Sequence, residues 1–562
     1  MSSAAARPRV AVVTGGAVGI GAAIAEELGR QGAFVVTVDP GLALDGSPQD
    51  GGAEATTAQR IVDAGGAARA AGISVTDEAA VQALFAELVA EFGGLDAVVN
   101  VAGISRPTGF ASGTEPDWRA VLDVHLNGYL TVLRAALPLM AAAGHGRILG
   151  VTSGSGWRAA DAGAYSCAKR AVAALTWQIG RVAPAGVTVN ALSPIAATRM
   201  VAAAVARQAA AGNTTGRSAA SGGVSLGTGV PPPEHLGPVG AYLASDTFSW
   251  CSGQVMFSNG SEIAWVAPPR LLEVARTTDV TSVAHVLETV VPAVLVPAEA
   301  AQASNGGGNP RVDAAFAEPA STPVPAASGP RCVVVTDSPA WAAVVADALG
   351  ARGAECVVIG GGPGAPAPAS GLEGTAEQLA AVARDAGPID AVVVALAGDV
   401  AGNTDAPAWQ QVLDAHAGIT ERIFADAAWV RAVSDHAAAT GRPVRVVTIG
   451  DATSAGGWSR VQAATQLARS AHAATADRVD AFAISVEATD DRARARAAEA
   501  AAHLVCTSDA GALSGAELVV ATDWFGLRSH PFPSGTVAYG GPELPGWLDD
   551  AVRSLMAGSP RT

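Results

Sequence analysis

Short apolar runs recur along the chain, separated by longer Ala-rich stretches whose apolar side chains return at helical spacing. Runs of the first kind, bounded by Gly and polar residues, read as buried strands, and the stretches between them read as helices. In the first half strands are predicted at Arg9 to Thr14, Phe34 to Val38, a third ending near Gly72, Leu95 to Asn100, Ile148 to Val151 and Val187 to Pro194. A last strand of the first domain falls within Ser252 to Gly260. Helices are predicted after Gly21, over Asp77 to Phe92, around Leu122 to Gly128, over Ala164 to Thr176 and over His235 to Ala244. This alternation builds a parallel sheet with helices on both faces, so the predicted class is α/β, doubly wound.

The second half repeats the pattern faintly. Leu95-Asp-Ala-Val-Val is echoed by Ile389-Asp-Ala-Val-Val, and Arg147-Ile-Leu-Gly-Val-Thr-Ser, with its Trp157, by Arg445-Val-Val-Thr-Ile-Gly, with Trp458. Further strands fit Arg331 to Thr336, Glu355 to Ile359, Ala481 to Val486 and Ala516 to Ala521. Between the halves, Pro297 to Pro330 is built of Ala, Pro, Gly, Ser and Asn with almost no periodicity, the signature of a flexible linker. The predicted organisation is a domain over 1–296 ending in an amphipathic extension, a linker over 297–330, and a second domain over 331–562.

Length supports the division, since 562 residues exceed what one core accommodates. A net charge of −16 argues against nucleic acid and anionic membranes as partners. No uninterrupted apolar run reaches the ~18 to 20 residues of a membrane span, and Met1 to Arg9 lacks the apolar core of a secretion signal. Five cysteines (Cys167, Cys251, Cys332, Cys356, Cys506) carry no metal or redox spacing, so a reduced cytoplasm and no metal are expected.

Candidate chemistry lies at two places. The first strand runs into Gly15-Gly-Ala-Val-Gly19-Ile20-Gly21 and then a helix, a strand–turn–helix that offers backbone N–H groups and a helix dipole to a pyrophosphate. The second strand ends at Asp39, where a carboxylate accepts hydrogen bonds from an adenosine ribose and repels a 2′-phosphate. Arg30 is the only basic residue between Thr14 and Gly46, which favours NAD over NADP. A plain strand-end cap is the alternative for Asp39.

The other place runs from Arg147 to Lys169. Tyr165 and Lys169 lie one helical turn apart on one face. Lys169 is the only lysine among 35 Lys plus Arg, so a drift toward Arg stopped at one position. A compact ammonium beside a phenol favours the phenolate and draws its pKa from about 10 toward neutrality, where Tyr acts as acid and base. Ser153, at the strand end, can hydrogen-bond the same substrate oxygen.

These residues resemble the short-chain dehydrogenase/reductase family over about residues 8 to 265. The resemblance implies a Rossmann-like domain in which Ser153 orients the carbonyl, Tyr165 is the acid/base, and Lys169 tunes it and holds the nicotinamide ribose. It also implies an adenine contact at Ser74-Val75, where the family often has Asp, and close backbone approach at Asn100-Val-Ala102-Gly103. Asn100 reads equally as a brace of the sheet. After Ser193-Pro194, the backbone of Ile195 and the hydroxyl of Thr198 are expected to receive the nicotinamide carboxamide. Where most members carry a catalytic Asn, this chain has His125, either the anchor of the same water relay or a core histidine; Asn127 points to another face. Val-His-Leu, the long loop over 40–57 and Arg199-Met200 are similar to the dehydrogenase unit of multifunctional hydroxyacyl-CoA enzymes. Ser153 and Tyr165 are twelve residues apart, one fewer than is common in the family. The Gly/Ser/Thr-rich stretch over 201–233 reads as a substrate lid or a surface loop.

The second half lacks the corresponding groups. Its first strand leads into Asp337-Ser-Pro-Ala-Trp341, a capped helix start without glycine, and Ala463 to Ser470 contains neither Tyr nor Lys. It is expected to be a degenerate, non-catalytic copy. The functional expectation is an NAD-dependent oxidoreductase that interconverts a secondary alcohol and a ketone, with a 3-hydroxyacyl-CoA or hydroxysteroid-like substrate. The alternatives are a ketone reductase of secondary metabolism and a non-catalytic scaffold. The chain is expected to form a homodimer in which the second half occupies, within each chain, the place of a partner subunit.

Overall fold

A computed structural model describes residues 7–48, 56–158, 162–203, 220–221, 224–225, 230–276, 283, 286–290, 329–362, 364–398 and 404–557. The expected linker up to residue 328, most of the 201–233 stretch and residues 49–55 of the 40–57 loop lie outside the described residues.

The first half follows the predicted alternation: β1 (Val10–Thr14), α1 (Gly19–Arg30), β2 (Phe34–Val38), α2 (Thr57–Asp63), β3 (Ala67–Ala71), α3 (Glu78–Phe92), β4 (Ala97–Asn100). One long helix follows in two parts, α4 (Glu115–Leu122) and α5 (Gly128–Ala143), joined by a π-helical turn over Asp123–Asn127. Next come β5 (Gly146–Val151), α6 (Gly163–Ile179), β6 (Val187–Pro194), α7 (Leu236–Leu243), β7 (Val255–Ser258), β8 (Glu262–Ala267) and β9 (Leu271–Arg276). In the second half lie β10 (Arg331–Val335), α8 (Pro339–Gly350), β11 (Glu355–Ile359), α9 (Leu372–Ala386), β12 (Ala391–Val394), α10 (Ala408–Ala415) and α11 (Ile419–Thr440). It closes with β13 (Val444–Asp451), α12 (Ala455–Ala474), β14 (Val479–Val486), α13 (Asp491–Cys506), β15 (Glu517–Val520), β16 (Trp524–Arg528), β17 (Phe532–Ala538) and α14 (Leu548–Ala557).

Two large sheets result. The first has nine strands in the order β17-β8-β7-β6-β5-β4-β1-β2-β3, parallel from β7 to β3. The order reverses between β1 and β4, so their C-terminal ends open the crevice where doubly wound folds take ligands. The second sheet has eight strands, β9-β16-β15-β14-β13-β12-β10-β11, with the same reversal at β10 and β12. Two doubly wound domains of Rossmann type therefore stand side by side, as the repeat predicts.

The strand within Ser252 to Gly260 is not the last of its sheet. β8 pairs antiparallel with it, and the following β9 leaves to pair with β16 of the second sheet. In exchange β17 pairs antiparallel with β8. The expected amphipathic extension thus contains two strands, each serving a different sheet. Both crossings pass through proline: Pro268-Pro269-Arg270 after β8, and Ser529-His530-Pro531 after β16. A tight hairpin needs residues at positive φ, whereas proline locks φ near −65° and keeps its predecessor extended. The chain therefore runs straight on into the neighbouring sheet.

The halves also meet through helices. α6 packs on α12, with Trp177 and Trp458 rings 6.4 Å apart, and one apolar core runs without a break from the helices of one half to those of the other. Arg119 on α4 bonds Glu421 on α11 at 2.6 Å and lies over the Phe424 ring. α14 returns to α7, where Asp549 accepts from Tyr242 at 2.8 Å and from Trp250 at 2.9 Å.

Candidate functional site

The glycine loop is a cradle that side chains would fill. Gly15 has φ +62°, and a Cβ on it would stand 2.8 Å from the Ala102 nitrogen. A Cβ on Gly21 would overlap the Gly15 carbonyl, and Gly19 opens α1 at φ +59°. Val18 at the N-cap gives no side-chain hydrogen bond, so the first-turn N–H groups beside the half-buried Ile20 point to whatever the crevice holds.

Opposite the loop, Asn100 accepts a hydrogen bond from Thr14 at 2.7 Å, and the Ala102 N–H donates to the same threonine oxygen at 3.3 Å. Asn100 is thus a brace that ties β4 to β1. Asp39 ends β2 half-buried, with its Oδ1 accepting from the Gly41 N–H at 2.9 Å. Ser74 pairs with Thr76 at 2.8 Å. Val75 is buried and packs where a Cβ on Gly128 would lie, which makes its side chain part of the core.

Ser153 caps the short 3₁₀ turn Gly154–Gly156, its oxygen accepting from the Ser155 N–H at 3.2 Å. Tyr165 projects from the first turn of α6; burial pushes its phenol above the usual value, and a hydrogen bond with Ser153 draws it back. One turn on, Lys169 is buried, its Nζ donates to the Val151 carbonyl at 2.7 Å, and it stands 5.7 Å from the Tyr165 ring centre. Burial brings the lysine down to about 7. The expected drop of the phenol toward neutrality is therefore reversed in the structure: burial acts on both groups, and the partly discharged amine is turned toward a backbone carbonyl.

His125 sits in the π-helical turn, a distortion common at functional sites because it turns a side chain off the regular face. Its ring meets Tyr165 edge-on at 5.0 Å. Nε2 lies 2.8 Å from the Ile104 carbonyl and 3.2 Å from the Ile104 nitrogen, while Nδ1 is buried with no partner among the described residues. Burial, then the charge on Lys169, lowers its pKa to about 3, so the imidazole is neutral. Nε2 can donate to the Ile104 carbonyl or accept from the Ile104 N–H, and Nδ1 is then the acceptor or the donor that the ring turns to the site. One ring nitrogen is thus satisfied by backbone, as a core histidine requires, and the other is not. Gly103 is required beneath it, since a Cβ there would overlap His125 Cε1. Asn127 donates to Asp123 at 2.9 Å, away from Tyr165.

On the far side, Pro194 ends β6 and the Ile195 N–H donates to the Ser258 carbonyl at 3.0 Å, so that donor is engaged within the fold. Thr198 accepts from the Val201 N–H at 3.2 Å and overhangs the glycine loop, its methyl 3.8 Å from a Cβ built on Gly19. The structure therefore gathers Ser153, Tyr165, Lys169 and His125 on one wall, with the glycine loop and Thr198 facing each other. Asp39 and Ser74 lie at the other end, along β2 and β3.

Sequence reasoning missed several residues that hold this wall. Thr152 donates to the Lys169 carbonyl at 2.6 Å and pins α6 to β5. Arg170, buried, donates to Gln462 at 2.8 and 2.6 Å, and Gln462 donates to Glu517 at 2.8 Å. Gln466 donates to the Ser155 and Arg158 carbonyls at 3.0 and 2.7 Å, so α12 supports the loop after Ser153. Only the Arg170 position beside the single lysine carried any signal. In the second half, Ala397-Gly398 follows shortly after β12, and Arg460 donates to the Ala397 carbonyl at 2.7 Å. Arg460 is paired in bidentate fashion with buried Asp426 at 2.7 Å.

Comparison with known proteins places this geometry. A sequence profile for "short chain dehydrogenase" matches residues 9–209. The chain is 38% identical over 265 residues to cis-4-hydroxycyclohexanecarboxylate dehydrogenase of Sinomonas cyclohexanicum, covering 46% of this chain and 97% of that one. It is 33% identical over 274 residues to hydroxyacyl-CoA dehydrogenase ChsB1 of Mycobacterium tuberculosis, covering 47% and 81%. Among solved structures, the N-domain of a bacterial malonyl-CoA reductase with NADP aligns at 18% identity and TM-score 0.62 over 92% of this chain and 98% of that one, a likeness of fold that takes in both halves. With a relative matched over nearly its whole length at this identity, the chain belongs to the short-chain dehydrogenase/reductase family.

Proposed function

We propose that this oxidoreductase uses NAD to interconvert a secondary alcohol and a ketone, with all chemistry in the first half. The observation that carries the reading is the convergence of Ser153, Tyr165, Lys169 and His125 beside a glycine cradle. The residues present fit a dinucleotide: the loop has room only for backbone, and Nδ1 of His125 and Oγ of Ser193 are buried without partners.

When bound, the nicotinamide accepts or donates the hydride. The chain's residues handle the proton. In the oxidative direction Tyr165 takes the hydroxyl proton while Ser153 donates a hydrogen bond to the substrate oxygen. Lys169, one turn on from Tyr165, is held on the same wall by the Val151 carbonyl, and the neutral His125 presents Nδ1 to the site. Asp39 supports NAD, because a 2′-phosphate beside it would meet a carboxylate. One relative is named for a hydroxy carboxylate and another for a hydroxyacyl-CoA, which supports a secondary alcohol carried on a larger acid or thioester. The second half acts as a non-catalytic support.

The test is NADH and NADPH binding by fluorescence, followed by turnover of a panel of secondary alcohols by wild type and Lys169→Arg. Binding of NADH in preference, with turnover lost in the variant, supports the reading. Wild-type turnover that survives the substitution sinks it.

A further inference from the structure

The loop between Ser153 and Tyr165 holds one basic side chain, and the mechanism does not use it. Arg158 is half-buried, its guanidinium packs against Gly154 with Cζ and Nε 3.2 Å from a Cβ built there, and its buried Nη2 has no hydrogen-bond partner among the described residues. Burial alone shifts its ionisation, downward, with no described carboxylate opposing it. Arg keeps its charge in proteins, and a buried charge without a partner is costly enough that such groups are regularly found paired.

The fold holds this arginine in place. Its own N–H donates to the Gly154 carbonyl at 3.0 Å, and Gln466 of the second half grips the carbonyls of Ser155 and Arg158. Gly154 follows Ser153, whose Cα is about 3.8 Å away. The guanidinium thus packs on the residue next to the hydroxyl that meets the reacting oxygen.

We propose that Arg158 receives a carboxylate of the substrate, so that the molecule oxidised or reduced is a compact hydroxy or keto acid. A planar fork of donors matches a carboxylate in bidentate fashion. The phosphates of an acyl carrier lie at the far end of a long flexible arm from the reacting carbon, too remote for a residue next to Ser153. The inference rests on the oxidoreductase reading above and adds the charge of the substrate to it.

The experiment compares kcat/KM of the holoenzyme for matched pairs, 4-hydroxycyclohexanecarboxylate against cyclohexanol and 3-hydroxybutyrate against 2-butanol, with 3-hydroxybutyryl-CoA as a third arm. Wild type is expected to prefer the acids by roughly ten- to a hundredfold, the range of a hydrogen-bonded charge pair. Arg158→Gln is expected to collapse that ratio through KM, and Arg158→Lys to restore part of it. The ratio is internal to each variant, so loss of folded protein cancels. Equal use of acid and neutral alcohol by wild type, an unchanged ratio in Arg158→Gln, or an Arg158 effect confined to the CoA ester overturns the proposal while leaving the oxidoreductase intact. Absence of turnover in every arm overturns both.

Discussion

Arg270 and Ser529 bond each other at the point where the two halves exchange strands. The Ser529 N–H donates to the Arg270 carbonyl at 2.8 Å, and the Arg270 N–H donates to the Ser529 hydroxyl at 3.1 Å. Each residue stands on its own half's proline-containing crossing, so the bonds tie together the two segments that trade places. Without its partner, the first half would leave the edge of β8 bare and β9 unpaired, a template for aggregation. Residues 1–300 expressed alone are therefore expected to be insoluble or non-native, and co-expression with 301–562 to yield a soluble complex. Size-exclusion chromatography and circular dichroism of the isolated half check this.

Glu517 is fully buried and accepts from Arg528 at 2.6 Å, Ser485 at 2.7 Å and Gln462 at 2.8 Å. Burial pushes its carboxyl up, but the charges of Arg528 and Arg170 and the hydrogen bonds outweigh this and leave it below the usual range. Glu517→Ala removes one of the two carboxylates that hold the buried Arg528, which keeps Glu487, and leaves Ser485 and Gln462 without their acceptor, at a cost of about 1 to 3 kcal/mol. A fall in the thermal midpoint is expected. Because the folded-state pKa is depressed, the wild-type advantage is present above the unfolded pKa of about 4.3 and lost as pH falls through the folded value. Midpoints of wild type and variant from pH 7 to 3 check both the size and the sign.

Lys169 gives the opposite slope. Its folded-state value of about 7 lies below the ordinary value near 10.4, so between these limits the unfolded chain binds the extra proton. Stability from this group therefore rises with pH from about 7 to 10. Lys169→Met is expected to be more stable than wild type at pH 6.5, with the gap closing toward pH 10, while turnover falls at least about a hundredfold. Differential scanning calorimetry and NADH production, measured on the same samples, report the two effects.

Asp39 holds the Gly41 N–H and stands at the end of β2 beside the crevice. On the proposed NAD reading, Asp39→Ser removes the carboxylate that would repel a 2′-phosphate. The KM for NAD is expected to rise roughly ten- to a hundredfold, the worth of hydrogen bonds to a charged group, and the NADP/NAD ratio of kcat/KM to rise with it. Steady-state kinetics with both cofactors check the shift; an unchanged ratio removes Asp39 from the cofactor site.

Elements whose cause is local were legible in the sequence. Strand and helix order, the glycine turn, the capped start of α8 at Ser338-Pro339, and the placing of Tyr165 and Lys169 one turn apart all follow from side-chain period and turn chemistry within a few residues. That the second half lacks the Tyr and Lys pair was readable too, because it is an absence of residue types.

What the tertiary structure decided are relationships between residues far apart in the chain. The exchange of β9 and β17 depends on two proline crossings meeting, and neither half's pattern names the other as partner. Cys332 and Cys356 look scattered in sequence, yet they sit in register on neighbouring strands. The orientation of His125 depends on a π turn over Gly103, and the isolation of Arg158 on how α12 grips its loop. The direction of the Tyr165 and Lys169 shifts reversed one expectation, because ionisation responds to the water excluded by packing as well as to the nearest charge. Spacing along the chain determines which groups can stand together; the solvent they lose, and the neighbour that holds them, exist only once the two halves have closed on each other.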